Sequence, residues 1–237
     1  MRVDTHCHID LFEDPIKTAQ TYQNARTNCV LVTTLPSHYQ AALPHLKPFR
    51  IIQPALGMHP LRVSEGKNEI MMFLNLACST ECIGEIGLDF SAEGRKTQKL
   101  QSDVLRRILP GIGSSKFVSV HCRNAHDEMS SLLDEYYVAP VCFHYFIGGP
   151  HAAAELAAKG HFFSINNRML MNKHRSIIDA VPRDRILVES DGPFLTKRPL
   201  SMIEHVYNEL SNIWHTDKFE TEEIISLNFS RCRTIVS

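Results

Sequence analysis

Short apolar runs alternate along this chain with longer segments in which apolar residues return every three or four positions. The first pattern suits strands buried on both faces, and the second suits amphipathic helices. Eight runs read as strands, at 3–9, 29–35, 51–57, 82–88, 117–123, 140–146, 161–165 and 186–190. Helices fit the intervals, for example at 100–109, 126–136 and 151–159, and two more follow Pro199, over 200–213 and 220–232, leaving a short tail. Eight β–α units in series predict a closed parallel (β/α)8 barrel of the TIM type, an architecture of about 250 residues, and the chain has 237. A doubly wound open sheet is the alternative, but it carries a glycine-rich phosphate loop after an early strand. Here the first strand runs into Asp10, Leu11, Phe12, Glu13, Asp14 and Pro15. No linker, repeat or low-complexity stretch divides the chain, so residues 1–237 are expected to form one domain.

Composition changes this picture little. Hydrophobic residues make up 43% and charged residues 22% of the chain, enough for a sizeable core and too apolar for disorder. The formal net charge of −1 gives no global attraction for a polyanion, so any nucleic-acid contact must be local. The seven cysteines are an odd number without a CxxC pair, which predicts reduced thiols. Neither an export signal nor an apolar run near the ~20 residues of a membrane span is visible. A cytoplasmic protein with no membrane contact is the expectation.

Candidate chemistry enters with His6 and His8. Alternate residues on a strand share a face, so both imidazoles are expected to point into the barrel while Cys7 points toward the helices. Glu85, His121, His144 and Asp191 lie on other predicted strands or just beyond their C-terminal ends. In a parallel barrel those ends open onto one rim. Singly, each has an ordinary structural role open to it, as a core histidine or a helix cap. Gathered together without a cation they would form a costly buried cluster, which a divalent metal resolves. Mixed imidazole and carboxylate donors do not select among Zn²⁺, Mn²⁺ and Mg²⁺.

The motifs DTHCHID (4–10), GMHP (57–60), IGEIGLD (83–89), VHCRNA (120–125), FHYFIGG (143–149) and ILVESDGPFL (186–195) occur in the order of the TatD family, and the chain resembles that branch of the metal-dependent, amidohydrolase-like barrels over nearly its whole length. Asn228 sits in a segment similar to the family's last-helix signature. The resemblance implies two divalent ions, one on His6, His8 and Asp191, the other on His121 and His144, with Glu85 bridging. Such a pair acidifies a water and polarises a phosphodiester oxygen, with Asp191 orienting or deprotonating the water. Arg123, two residues beyond His121, is expected to hold a phosphate, and His59 to touch the substrate. Glu189 is expected one layer deeper, steadying a ligand imidazole. The implied activity is 3′–5′ hydrolysis of single-stranded DNA. The opening segment is also similar to the TatD-like component of Qat anti-phage defence cassettes, which implies cassette subunits as further partners. Departures from the family pattern fall at Ser91–Gly94, Asn124 and Ile147, and they bear on the substrate groove. Two other classes remain: amide, lactone or deaminase chemistry on the same barrel, and a non-catalytic barrel subunit. Related binuclear barrels often bridge their metals with a carboxylated lysine on strand four, where this chain offers Glu85.

Overall fold

The computed structural model describes residues 1–113, 115–138, 140–171 and 174–233. The tail expected after the last helix falls on 234–237, outside the described residues. Eight strands form one parallel sheet in chain order, β1 (Val3–Cys7), β2 (Asn28–Val32), β3 (Ile52–Met58), β4 (Cys82–Asp89), β5 (Phe117–Arg123), β6 (Cys142–His144), β7 (Phe162–Ile165) and β8 (Ile186–Val188). Each falls within, or within a residue of, its predicted run. Four are cut short at the C-terminal end, β1 at Cys7, β2 at Val32, β6 at His144 and β8 at Val188, because the chain turns there to build the rim.

Helices follow the strands as amphipathic segments with local start signals. α1 (Pro15–Ala25) begins with proline in its first turn, and Asp14 accepts the Lys17 amide at 2.9 Å. α2 (Pro36–Leu46), α3 (Lys67–Ala77), α4 (Gln98–Ile108), α5 (His126–Glu135), α6 (Pro150–Ala158) and α7 (Arg175–Ala180) cover the sheet in turn. α8 (Pro199–Trp214) and α9 (Lys218–Cys232) close the order, as expected from the segment after Pro199. Asn228 pins α9 to the start of β8, its Nδ2 donating to the carbonyls of Arg183 at 2.7 Å and Ile186 at 2.9 Å. Buried apolar side chains fill the layer between strands and helices, and Phe143, Phe146 and Phe163 pack ring on ring. No helix among the described residues is long and apolar enough to cross a membrane. All seven cysteines are free.

The seam between β8 and β1 is closed by hydrogen bonds at and beyond the strand ends. Thr5 Oγ1 donates to Val188 O at 3.0 Å, Ser190 N to Asp4 Oδ1 at 3.0 Å, Asp191 N to His6 O at 2.9 Å and His8 N to Gly192 O at 2.8 Å. The pairing of β4 with β5 requires a glycine. Gly87 has φ 143°, and a Cβ there would lie 2.0 Å from the His121 carbonyl oxygen. That close approach sets Glu85 and His121 side by side.

His161, just before β7, is 1% exposed; its Nδ1 accepts the Val141 amide at 3.4 Å and its Nε2 has no partner among the described residues. Burial pulls its pKa down to about 4 from an ordinary 6.5. Between those values the unfolded chain binds a proton that the folded chain refuses, so stability falls as pH drops through that window. His161→Leu is expected to flatten the loss between pH 7 and pH 4.5, measured by urea unfolding at both. An unchanged loss would mean that the ring protonates inside the fold.

Candidate metal centre

The strand alternation expected for His6 and His8 holds only as far as Cys7. His6 points into the barrel, while Cys7 turns outward to pack with Tyr22, Cys29 and Leu31. His8 is not on the strand. It sits in a bend at φ −90° and ψ 69°, leading into a single 3-10 turn over Ile9–Leu11. That bend brings its ring back over His6, with the two Nε2 atoms 3.2 Å apart. The hydroxyl of Ser119 lies 2.8 Å from His6 Nδ1 and fixes that ring with Nε2 toward the rim.

Glu85, 2% exposed on β4, lies at the centre of the cluster. Its Oε2 is 3.6 Å from His6 Nε2 and 3.5 Å from His8 Nε2. Its Oε1 is 2.6 Å from His121 Nδ1, 2.8 Å from His144 Nε2 and 3.4 Å from His59 Nε2. One carboxylate oxygen thus faces His6 on β1 and His8 just beyond it, and the other faces His59 just beyond β3, His121 on β5 and His144 on β6. Asp191, just beyond β8, brings Oδ1 to 3.9 Å from His8 Nε2. Its φ of 47° is left-handed, a conformation that aspartate tolerates better than most side chains.

Asp89, at the end of β4, joins the cluster from outside the set expected from sequence. Its Oδ2 lies 3.0 Å from His121 Nε2, so it holds that ring with Nδ1 turned toward Glu85. The GLD motif carried the residue, but only the pairing of β4 with β5 shows what it faces. Asp4 is another buried carboxylate, accepting from Tyr22 Oη at 2.6 Å, Ser190 N at 3.0 Å and His6 N at 3.2 Å, and so it braces the seam beneath the site.

The three expected substrate-side residues divide. Arg123 is half-exposed at the rim, its Nη1 3.9 Å from Asp89 Oδ2, and it lines the cleft above the cluster. His59 lines the same cleft, and its Nδ1 accepts the Leu61 amide at 3.1 Å, which leaves the proton on Nε2. Glu189 is fully buried beneath the site. Its Oε2 is 3.8 Å from His144 Nδ1, too far for a hydrogen bond, and its firm partners are Ser164 Oγ and, at 2.8 Å, Asn166 Nδ2.

Electrostatics separate these groups. Burial, reinforced by neighbouring imidazoles, lowers His6 and His8 to about 3, so both are neutral near pH 7. Burial would raise Glu85, but the facing histidines, His59 and His144 foremost, hold it well below the usual carboxylate range. Burial also opposes charge on His121, yet its hydrogen bonds to Asp89 and Glu85 lift it to about 9. Asp191 is raised to about 8 by burial and by Glu85, against His121 and Arg168.

The donor set fits divalent cations. Nitrogen or oxygen atoms of His6, His8 and Asp191 lie within 4.8 Å of one another, as do those of His6, Glu85 and His144, and those of His59, Glu85 and His121. Neutral His6 and His8 and the low-pKa carboxylate of Glu85 offer lone pairs without first giving up protons, whereas His121 and Asp191 would release theirs as an ion binds.

Known proteins resemble this chain in sequence and in fold. A family model described as TatD related DNase matches residues 3–233. An uncharacterized metal-dependent hydrolase of Buchnera aphidicola is 29% identical over 222 residues, covering 83% of each chain. A human deoxyribonuclease, TATDN3, is 25% identical over 214 residues, covering 81% of this chain and 78% of its own. A 3′-5′ ssDNA/RNA exonuclease TatD of Pectobacterium atrosepticum is 29% identical over 153 residues, 61% of this chain and 59% of its own. Among solved structures, a TatD homologue from Escherichia coli K12 superposes with a TM-score of 0.79 at 18% identity, covering 98% of this chain and 97% of its own, which shows a common fold. With the family model spanning all but the ends of the sequence, the chain belongs to the TatD-related DNase family of metal-dependent hydrolases.

Proposed function

We propose that this protein is a divalent-cation-dependent phosphodiesterase that cuts single-stranded DNA from a free 3′ end. The observation that carries the reading is the division of Glu85, one oxygen toward His6 and His8 and the other toward His121 and His144. In this reading one ion would be held by His6, His8 and Asp191 and a second by His121 and His144, with Glu85 between them. When bound, the ions supply Lewis-acid polarisation of a phosphoryl oxygen and an acidified water. The name of the Pectobacterium relative, an exonuclease on ssDNA and RNA, supports the substrate class and the direction of attack.

The protein groups divide the remaining work. Asp191 faces the cluster from beyond β8, its Oδ1 3.9 Å from His8 Nε2, and its carboxylate would orient the attacking water or take up its proton. Arg123 presents a guanidinium at the cleft wall, suited to two parallel hydrogen bonds to a phosphate. His59 carries its proton on Nε2 and donates it toward the same space. Asp89 and Ser119 fix the rings of His121 and His6, while Glu189, whose proton affinity burial and Asp191 raise well above the usual carboxylate range, lies 3.8 Å beneath His144.

Labelled single-stranded oligonucleotides are expected to be cut in the presence of Mg²⁺, Mn²⁺ or Zn²⁺ and spared by a chelator, while small cyclic amides are not turned over. Turnover of the amides alone would sink the reading. Glu85→Gln is expected to lower hydrolysis by more than about a hundredfold, since partners that touch only the ligands already carry 10–100-fold. Its circular dichroism should stay close to that of the parent, and full activity would show that the carboxylate is not the bridge. Asp89→Asn is expected to weaken divalent-ion binding about 10–100-fold in calorimetric titration, because His121 loses the anion that orients it. Unaltered affinity would remove Asp89 from this role.

A further inference from the structure

The cleft above the cluster has a volume of about 500 Å³, and two of its lining side chains have no part in the hydrolytic step described above. Arg168 stands on the connection after β7, exposed, and its guanidinium has no hydrogen-bond or ion-pair partner among the described residues. Its backbone is held firmly. Asn166 Oδ1 accepts the amides of Arg168 at 3.0 Å and Met169 at 3.3 Å, and Asn166 Nδ2 is bound to buried Glu189. The backbone of Arg168 is therefore anchored to the layer beneath His144, while its charged head stands exposed at the mouth, close enough for Asp191 to feel its charge.

Phe194 lies across the mouth, on the connection between β8 and α8. It is 63% exposed, and its ring meets His8 edge-on with centroids 5.0 Å apart. A large apolar ring left in water beside a polar cleft is a contact surface waiting for a flat partner.

We propose that Arg168 and Phe194 recognise the nucleotide next to the bond that is cut, Arg168 by its phosphate and Phe194 by stacking on its unpaired base. The inference rests on the phosphodiesterase reading above and specifies its substrate. Arg123 ends β5 and Arg168 follows β7, two strand positions away, about 10 Å around the rim. Two long guanidinium side chains at that separation can hold neighbouring phosphates of one strand. Phe194 needs a base with a free face, which a paired duplex does not offer, so strand preference resides in this ring. A chain with a net charge of −1 can grip nucleic acid in this way through a few contacts and a shallow salt dependence.

The test uses metal-loaded protein and short single-stranded oligonucleotides with phosphorothioate linkages, cut too slowly to turn over during an anisotropy titration. Affinity is measured from 50 to 200 mM salt, and an abasic residue is walked along the strand. For Arg168→Ala, the slope of log affinity against log salt is expected to fall by about 0.7, the contribution of one single-strand phosphate contact. Arg168→Lys is expected to keep the slope. Phe194→Ala is expected to bind about tenfold more weakly with the slope unchanged, and Phe194→Trp to recover the loss. At one position of the walk, the abasic strand should no longer distinguish Phe194→Ala from the parent. An unchanged slope in Arg168→Ala, or an equal loss for every abasic strand in Phe194→Ala, overturns this proposal while leaving the hydrolytic reading intact. A parent protein that neither binds nor cuts any strand overturns both.

Discussion

A carboxylate buried at the centre of a ring of imidazoles is the constraint on which this molecule turns. Glu85 is almost wholly out of water, and burial alone would drive it neutral. It stays ionised because histidines from four other segments aim ring nitrogens at its two oxygens. An unpaired charge in that position would cost several kcal/mol. The cluster therefore stands or falls as a unit, and the strands that bring it together are held to narrow positions. The glycine at 87 is one visible consequence, since any side chain there would push β5, and His121 with it, out of place.

Closure of the barrel and assembly of the site are the same event. His6, His8 and Asp191 come from opposite ends of the chain and meet at the seam between β1 and β8. The hydrogen bonds that seal the seam run through the backbones of these residues: Asp191 N to His6 O, and His8 N to Gly192 O. Asp4 adds a buried brace, accepting from His6 N, Ser190 N and Tyr22 Oη. A loosened seam would separate the donors of one half of the cluster before it disturbed the helices outside. The rim also stores some backbone strain. Tyr145, directly after His144, has φ 41°, a left-handed conformation that a bulky side chain adopts at a cost of order 1–3 kcal/mol.

Much of this was legible in the order of residues. The eight apolar runs coincide with the eight strands, and their spacing left room only for crossover helices, so the parallel barrel followed. His6, His8, Glu85, His121, His144 and Asp191 stood at or beyond strand ends in the sequence, and the barrel brings all six to one mouth. Other features were misplaced or missed. His8 was assigned to strand geometry, although it sits on the turn after it. Glu189 was assigned the orientation of a ligand imidazole, and its hydrogen bonds go to Ser164 and Asn166 instead. Asp89 and Arg168 drew no attention because nothing near them in sequence marks an acid as facing a histidine or an arginine as facing a cleft.

By itself the sequence determined the period of the apolar pattern, the number and order of the strands, and which chemical groups the rim would carry. These follow from local rules, since pleat alternation and parallel connection act over a few residues at a time. Only the tertiary structure decided which atom of each group faces which partner. His6 presents Nε2 because Ser119 occupies Nδ1, and His121 presents Nδ1 because Asp89 occupies Nε2. Glu85 divides its oxygens because β1 and β5 approach it from opposite sides. Orientations of that kind depend on hydrogen bonds between residues far apart in the chain, whose pairing exists only once the sheet has closed.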